Sequence, residues 1–196
     1  MVMVQLASDA HALPLDAARA GVLATRLAEL MGVFARPPGS RIDRALVGSA
    51  IAAAARAGLA EQVAARSDAA EPGERTIFAF LDALRNSPQP ASEIANLASI
   101  FGYARLEQLL ATSEPSLRRY AAKTRTVPDA VTERVHFLAQ LVAVLRGSFN
   151  EFGIRRWFER PHPALDGRAP ASLLGLVDPA EAGPQATLAA ALQLLA

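Results

Sequence analysis

Apolar residues recur at helical spacing along almost the whole chain, and that regularity leaves few folds open. The series Val131, Val135, Leu138, Val142 and Leu145 advances by steps of four, three, four and three, which places all five on one side of a helix. Alternating runs of Val, Ile, Thr and Tyr closed by turn residues, the mark of strands, do not appear. The expected fold class is all-α. Two heptads are too few to argue a coiled coil, so this series serves either as one face of a core or as a dimer seam.

The punctuation between helices divides the chain further. Asp16 to about Val33 reads as a first helix, broken by Arg36-Pro-Pro-Gly-Ser40, and Ser40 with Asp43 opens an alanine-rich second helix that bends or stops near Gly58 and ends by Ser67. Residues 67–74, acidic and holding Pro72-Gly73, are the best linker candidate. A helix at about 75–85 follows. Beyond Pro90 short helices come in quick succession: Ser92, as cap, to Phe101; Arg105 to Ala111; and, after a Thr112-Ser113 turn, a segment opening at Glu114-Pro115. That order is what a helix-turn-helix looks like in sequence. The domain division is therefore 1–74, an N-terminal helical extension and linker; 75–146, a helix-turn-helix domain; and 147–196, a small helical domain.

A chain of 196 residues, 52% hydrophobic and 20% charged, can bury a sizeable core and falls outside the disordered class. A net charge of +1 excludes a uniformly basic protein, so any contact with nucleic acid must come from local asymmetry. Cysteine is absent, which excludes disulfides and thiolate metal sites. The first residues lack the basic and apolar regions of a secretory signal, and the uncharged run 45–55 is about half the length of a membrane span. A cytoplasmic protein with no membrane partner is expected.

The local asymmetry lies just past the turn. Arg118, Arg119, Lys123 and Arg125 put four positive charges into eight residues with no acid among them, while Leu117, Tyr120 and Ala121 form the buried side of the same helix. In a helix-turn-helix the second helix enters the major groove, where a bidentate arginine contributes about 1–3 kcal/mol of base discrimination. Ser113 and Ser116, at the start of that helix, would lie nearest the DNA backbone or base edges. A plain solvated basic face is the alternative at equal weight.

Residues 147–174 are the most distinctive stretch. Ser148 and Glu151 have capping-box spacing, Ile154, Trp157 and Phe158 form an apolar stripe, and Pro161 cannot continue the helix. Arg155, Arg156, Glu159 and Arg160 crowd around the only tryptophan. Pro163, Asp166-Gly167 and Pro170 then hold the chain in a fixed path to Ser172-Leu173-Leu174. For Trp157 alone a core position is the better expectation.

That stretch resembles the C-terminal toxin-binding domain of the Xre/MbcA/ParS antitoxins, through Gly153, Arg156, Trp157, Pro161, Pro163, Leu165, Gly167, Arg168, Pro170, Leu173 and Leu174. The segment 106–138 is similar to that family's Xre-like helix-turn-helix, with Leu109, Leu110, Ser113, Leu117, Arg118 and Arg119 in matching places and Ala111 where the family usually has a turn glycine. The resemblance covers roughly residues 92–196 and leaves the first 70 or so unexplained.

It implies a dimeric repressor of its own operon, with Ser113, Ser116, Arg118, Arg119, Lys123 and Arg125 on operator DNA. It also implies an antitoxin that covers the active site of a cognate RES-domain toxin acting on NAD. The implied toxin contacts are Arg155, Arg156, Trp157, Arg160, His162, Arg168, Leu192, Leu195 and Ala196. The tail from Ala169, which has acids but no Lys or Arg, would suit a cationic dinucleotide cleft. The alternative is a regulator or scaffold that uses the same domain pair on a different protein partner.

Catalytic patterns are missing from the sequence. His11, His136 and His162 lie far apart, and no Walker loop, dinucleotide glycine fingerprint or nucleophile elbow is present. No enzymatic activity, cofactor or metal is expected. His136, between Val135 and Phe137 on a helix, reads as structural.

Overall fold

Asp16 starts the first helix by accepting the Arg19 N–H at 2.8 Å, and Leu23, Leu27 and Leu30 then turn a continuous apolar side inward. The computed structural model describes residues 16–195, so His11 and the N-terminal stretch read for a secretory signal lie outside the described residues, as does Ala196. Among those described, ten α-helices and three short 3₁₀ turns account for the regular structure, with no β-strand. The fold is all-α.

Helix α1 spans Ala17–Leu30, α2 Arg44–Arg56, α3 Glu61–Ala64, α4 Glu74–Arg85 and α5 Pro90–Phe101. Then come α6 at Tyr103–Leu110, α7 at Glu114–Ala121, α8 at Asp129–Leu145, α9 at Glu151–Glu159 and α10 at Ala182–Leu192. The 3₁₀ turns are Pro163–Leu165, Pro170–Leu173 and Gln193–Leu195.

Helices α1 and α8 are the axis on which the others are assembled. α1 packs on α2, α4, α5 and α8, and α8 also meets α5, α6 and α10. Val131, Val135, Leu138, Val142 and Leu145 are all buried, so this series is a face of the core. One apolar cluster runs from Ala20 in α1 through Phe80, Ile94, Leu106 and Leu138 to Phe158 and Ala191, spanning all three sequence segments.

The stretch 67–74, read as a linker, is a packed turn. The Asp68 carboxylate accepts the Gly73 N–H at 2.9 Å and the Thr76 hydroxyl at 2.8 Å, and these bonds hold its pKa below the usual carboxylate range. The backbone of Ala69 and Ala70 lies directly on Gly48 of α2, where an added Cβ would come within 2.2 Å of the Ala70 carbonyl oxygen. Only glycine fits there.

Several helix starts differ from the spacing rules. Asp43 alone caps α2, through the Leu46 N–H, while the Ser40 hydroxyl turns back to the Pro37 carbonyl. Pro90 takes the first turn of α5, so Ser92 is inside the helix. Asn150 caps α9, and the Ser148 hydroxyl instead donates to the Leu194 carbonyl oxygen at 3.3 Å, tying the α8–α9 turn to the C-terminal end.

Candidate DNA and protein interfaces

The turn between α6 and α7 is three residues long, and its geometry depends on Ala111. That residue closes α6 with φ 46° and ψ 45°, the left-handed conformation that favours glycine. Glycine adopts that conformation without strain. Alanine adopts the same turn at a strain cost of about 1–2 kcal/mol. Glu107 then reaches across the turn and accepts the Glu114 N–H at 3.0 Å, capping α7 from the preceding helix. Ser113 occupies the cap position of α7 but makes no side-chain capping bond; its hydroxyl pairs with that of Ser116 at 3.0 Å.

Leu117 and Tyr120 anchor α7 on α5, leaving the opposite side in solvent. Arg118, Arg119, Lys123 and Arg125 are all exposed there. Their availability differs. The Arg118 guanidinium gives two hydrogen bonds, at 2.9 and 2.7 Å, to one oxygen of Glu114 and lies over the Tyr103 ring at 4.2 Å. Arg125 sits over Tyr120 at 5.7 Å, the outer edge of a cation–π contact. Arg119 and Lys123 carry their charge with no acid beside them among the described residues. Lys123 ends the helix at φ 58°. The basic face is therefore strongest at its C-terminal end, and Glu114 is a sequence signal of the i,i+4 kind that the count of four positive charges leaves out.

On α9, Ile154, Trp157 and Phe158 face inward as the stripe predicts. Phe158 meets Phe101 and Trp157 edge-on, each with ring centroids 5.2 Å apart. Trp157 is only 4% exposed, so it is a core residue and its place among the partner contacts does not hold. Arg155 is likewise turned inward, donating to the Ile100 carbonyl oxygen at 2.7 Å, where it also meets the negative end of α5. Arg156 and Arg160 stay exposed.

The loop after α9 is closed by its own backbone. The His162 N–H donates to the Arg168 carbonyl at 3.1 Å, the Gly167 N–H returns to His162 at 3.0 Å, and Asp166 and Gly167 are left-handed at φ 53° and 73°. The His162 ring packs on Trp157 with centroids 4.9 Å apart, and its Nε2–H donates to the Trp157 carbonyl. The Arg168 side chain projects outward.

The C-terminal helix α10 packs on α8 and on both preceding 3₁₀ turns. Leu192 is half-buried against the core, and Leu194 is 41% exposed. The side chain of Leu195 and the whole of Ala196 lie outside the described residues. Phe152, on the outer side of α9, is 64% exposed. The proposed partner surface thus resolves into Arg156, Arg160, Arg168 and half-buried His162, with Leu192 at the edge of the core. Phe152 joins them as an exposed aromatic that the sequence reading passed over.

His136 forms a buried pair with Glu93, Nδ1 to Oε1 at 2.7 Å. Among the described residues no cluster of three or more His, Cys, Asp or Glu is placed to hold a metal, and no helix is long and apolar enough to cross a membrane. Compared with protein-family models, curated proteins and solved structures, the chain matches none.

Proposed function

We propose that this chain is an antitoxin that binds operator DNA through α7 and covers the active site of an NAD-directed RES-domain toxin with its C-terminal region. The single observation that carries the DNA half is the α6–α7 arrangement. A three-residue turn through a left-handed Ala111 presents a short helix whose inner side is Leu117 and Tyr120 and whose outer side is basic. Arg119 and Lys123 supply the phosphate contacts, with Arg118 released from Glu114 at the DNA surface. A homodimer would present two copies of α7 to half-sites about one helical turn apart.

For the toxin half, the support is the resemblance together with an outward set of Arg156, Arg160, Arg168 and Phe152 on a backbone held rigid by the 160–168 hydrogen bonds. Preorganised surfaces of this kind bind without an ordering cost. Gel-shift titration on the DNA upstream of the gene tests the first half. Affinity should fall steeply with salt, and Arg119→Gln and Lys123→Gln should each lower the salt slope by about 1. No salt-sensitive shift removes the repressor role. Co-expression with a neighbouring RES-domain gene tests the second half: rescue of growth that is lost on truncation before Ala169 is expected. An RES partner that kills cells regardless favours the regulator or scaffold reading.

A further inference from the structure

We propose that the cleft between α1 and the α8–α9 turn binds a small molecule bearing a phosphate group. Three arginines from three parts of the chain converge on it: Arg26 of α1, Arg36 of the following loop and Arg146 at the end of α8. The cleft encloses about 510 Å³, within the range of ligand sites, and Phe34 and Phe149 give it an apolar wall.

The charges there are unequally satisfied. Glu29 shares its carboxylate between two cations, with Oε1 at 2.8 Å from Arg36 Nε and Oε2 at 3.9 Å from Arg146 Nη1. Arg36 also donates from Nη1 to the Ser40 carbonyl at 2.9 Å. Arg26 closes no hydrogen bond or ion pair with any described residue, although it is half-buried. Burial lowers its pKa most; Glu29 acts in the opposite sense, and the like charges of Arg36 and Arg146 lower it further. Glu151, on the far lip, is the second acid lining the cleft, so the balance remains positive.

A carboxylate already sits in this cleft and has only two oxygens, both committed. What is missing is an acceptor with a third oxygen that reaches Arg26 while still meeting Arg36 and Arg146, and a terminal phosphate has that shape. Asn150 and Glu151 at the start of α9 also line the cleft, and the first-turn N–H groups of Glu151 and Phe152 donate to no described acceptor, since Asn150 takes the Gly153 N–H. Phe34 and Phe149 leave room for an organic body beside the phosphate.

Inorganic pyrophosphate is the probe, followed by titration calorimetry and thermal unfolding against sodium chloride of equal ionic strength. Saturable binding below about 1 mM is expected, with Arg26→Gln and Arg146→Gln each weakening it about tenfold. Arg56→Gln, at the exposed end of α2, should bind like the parent protein. Without pyrophosphate, Arg26→Gln should melt no lower than the parent, because it removes a cation that repels its neighbours. No saturable heat up to about 10 mM, or unchanged affinity in both cleft variants, overturns the proposal. Duplex DNA binding that the cleft variants weaken as much as they weaken pyrophosphate binding assigns these arginines to DNA, and overturns it as well.

Discussion

Replacing both members of the Glu93–His136 pair should cost no more than replacing either one. Glu93 is fully buried and His136 is 5% exposed, and the pair joins α5 to α8 in the middle of the core. The His136 Nε2 lies 3.0 Å from the Arg85 carbonyl, which can only accept, so Nε2 carries a proton. Nδ1 and Glu93 Oε1 then share one further proton at 2.7 Å, while Oε1 also accepts the Gln89 N–H at 3.1 Å. The other oxygen, Oε2, is buried with no hydrogen-bond partner among the described residues, so without His136 the carboxyl keeps only the Gln89 N–H as donor.

Leucine at either position alone leaves the partner buried with only one backbone hydrogen bond, a loss of about 3 kcal/mol at the low end for broken buried pairs. The double variant Glu93→Leu/His136→Leu removes both polar groups and strands only the Gln89 N–H and the Arg85 carbonyl. It should lose about 2–3 kcal/mol rather than the additive 6. Urea unfolding followed by circular dichroism reads this directly: with a slope near 2 kcal/mol/M, each single variant moves the midpoint down by about 1.5 M, and the double variant by no more. A double variant that loses the full additive amount would refute the argument that the two groups are coupled.

Other positions give equally direct outcomes. Ala111→Gly relieves the left-handed strain but frees the unfolded chain, so a net gain of about 0.5 kcal/mol is expected in thermal unfolding. Gly48→Ala sets a methyl 2.2 Å from the Ala70 carbonyl oxygen, and calorimetry should find a loss of about 2 kcal/mol or more as the 67–73 turn is pushed off α2. Asp68→Ala should lower the melting temperature at pH 7. Because the parent carboxyl is held below its unfolded value, its contribution is present above the ordinary Asp range and fades as pH falls through the lowered one. Melting curves of the two proteins should therefore converge as the pH is taken below the ordinary Asp range.

The helices were legible in the sequence because their apolar spacing is a local property. The α8 series, the Ile154-Trp157-Phe158 stripe and the ends at Gly102 and Pro161 follow from residues within one or two turns of each other. Caps were less legible where two polar residues compete: Ser148 satisfies the spacing rule, yet Asn150 caps α9 because the Leu194 carbonyl draws the serine away. The segment 67–74 has the composition of a linker, and only the close approach of Ala70 to Gly48, 22 residues earlier in α2, makes it a packed turn.

The candidate surfaces divide in the same way. Exposure of Arg119 follows from helix periodicity, while the inward turn of Arg155 depends on Ile100, 55 positions away. The cleft is the extreme case. Arg26, Arg36 and Arg146 have no shared spacing, and nothing in the order of residues says that α1 and the end of α8 meet. A charge cluster built from two regions 110 positions apart becomes visible only once the core has decided which helix ends are neighbours. Local pattern therefore names the elements of a helical protein, and its polar chemistry is written where those elements cross.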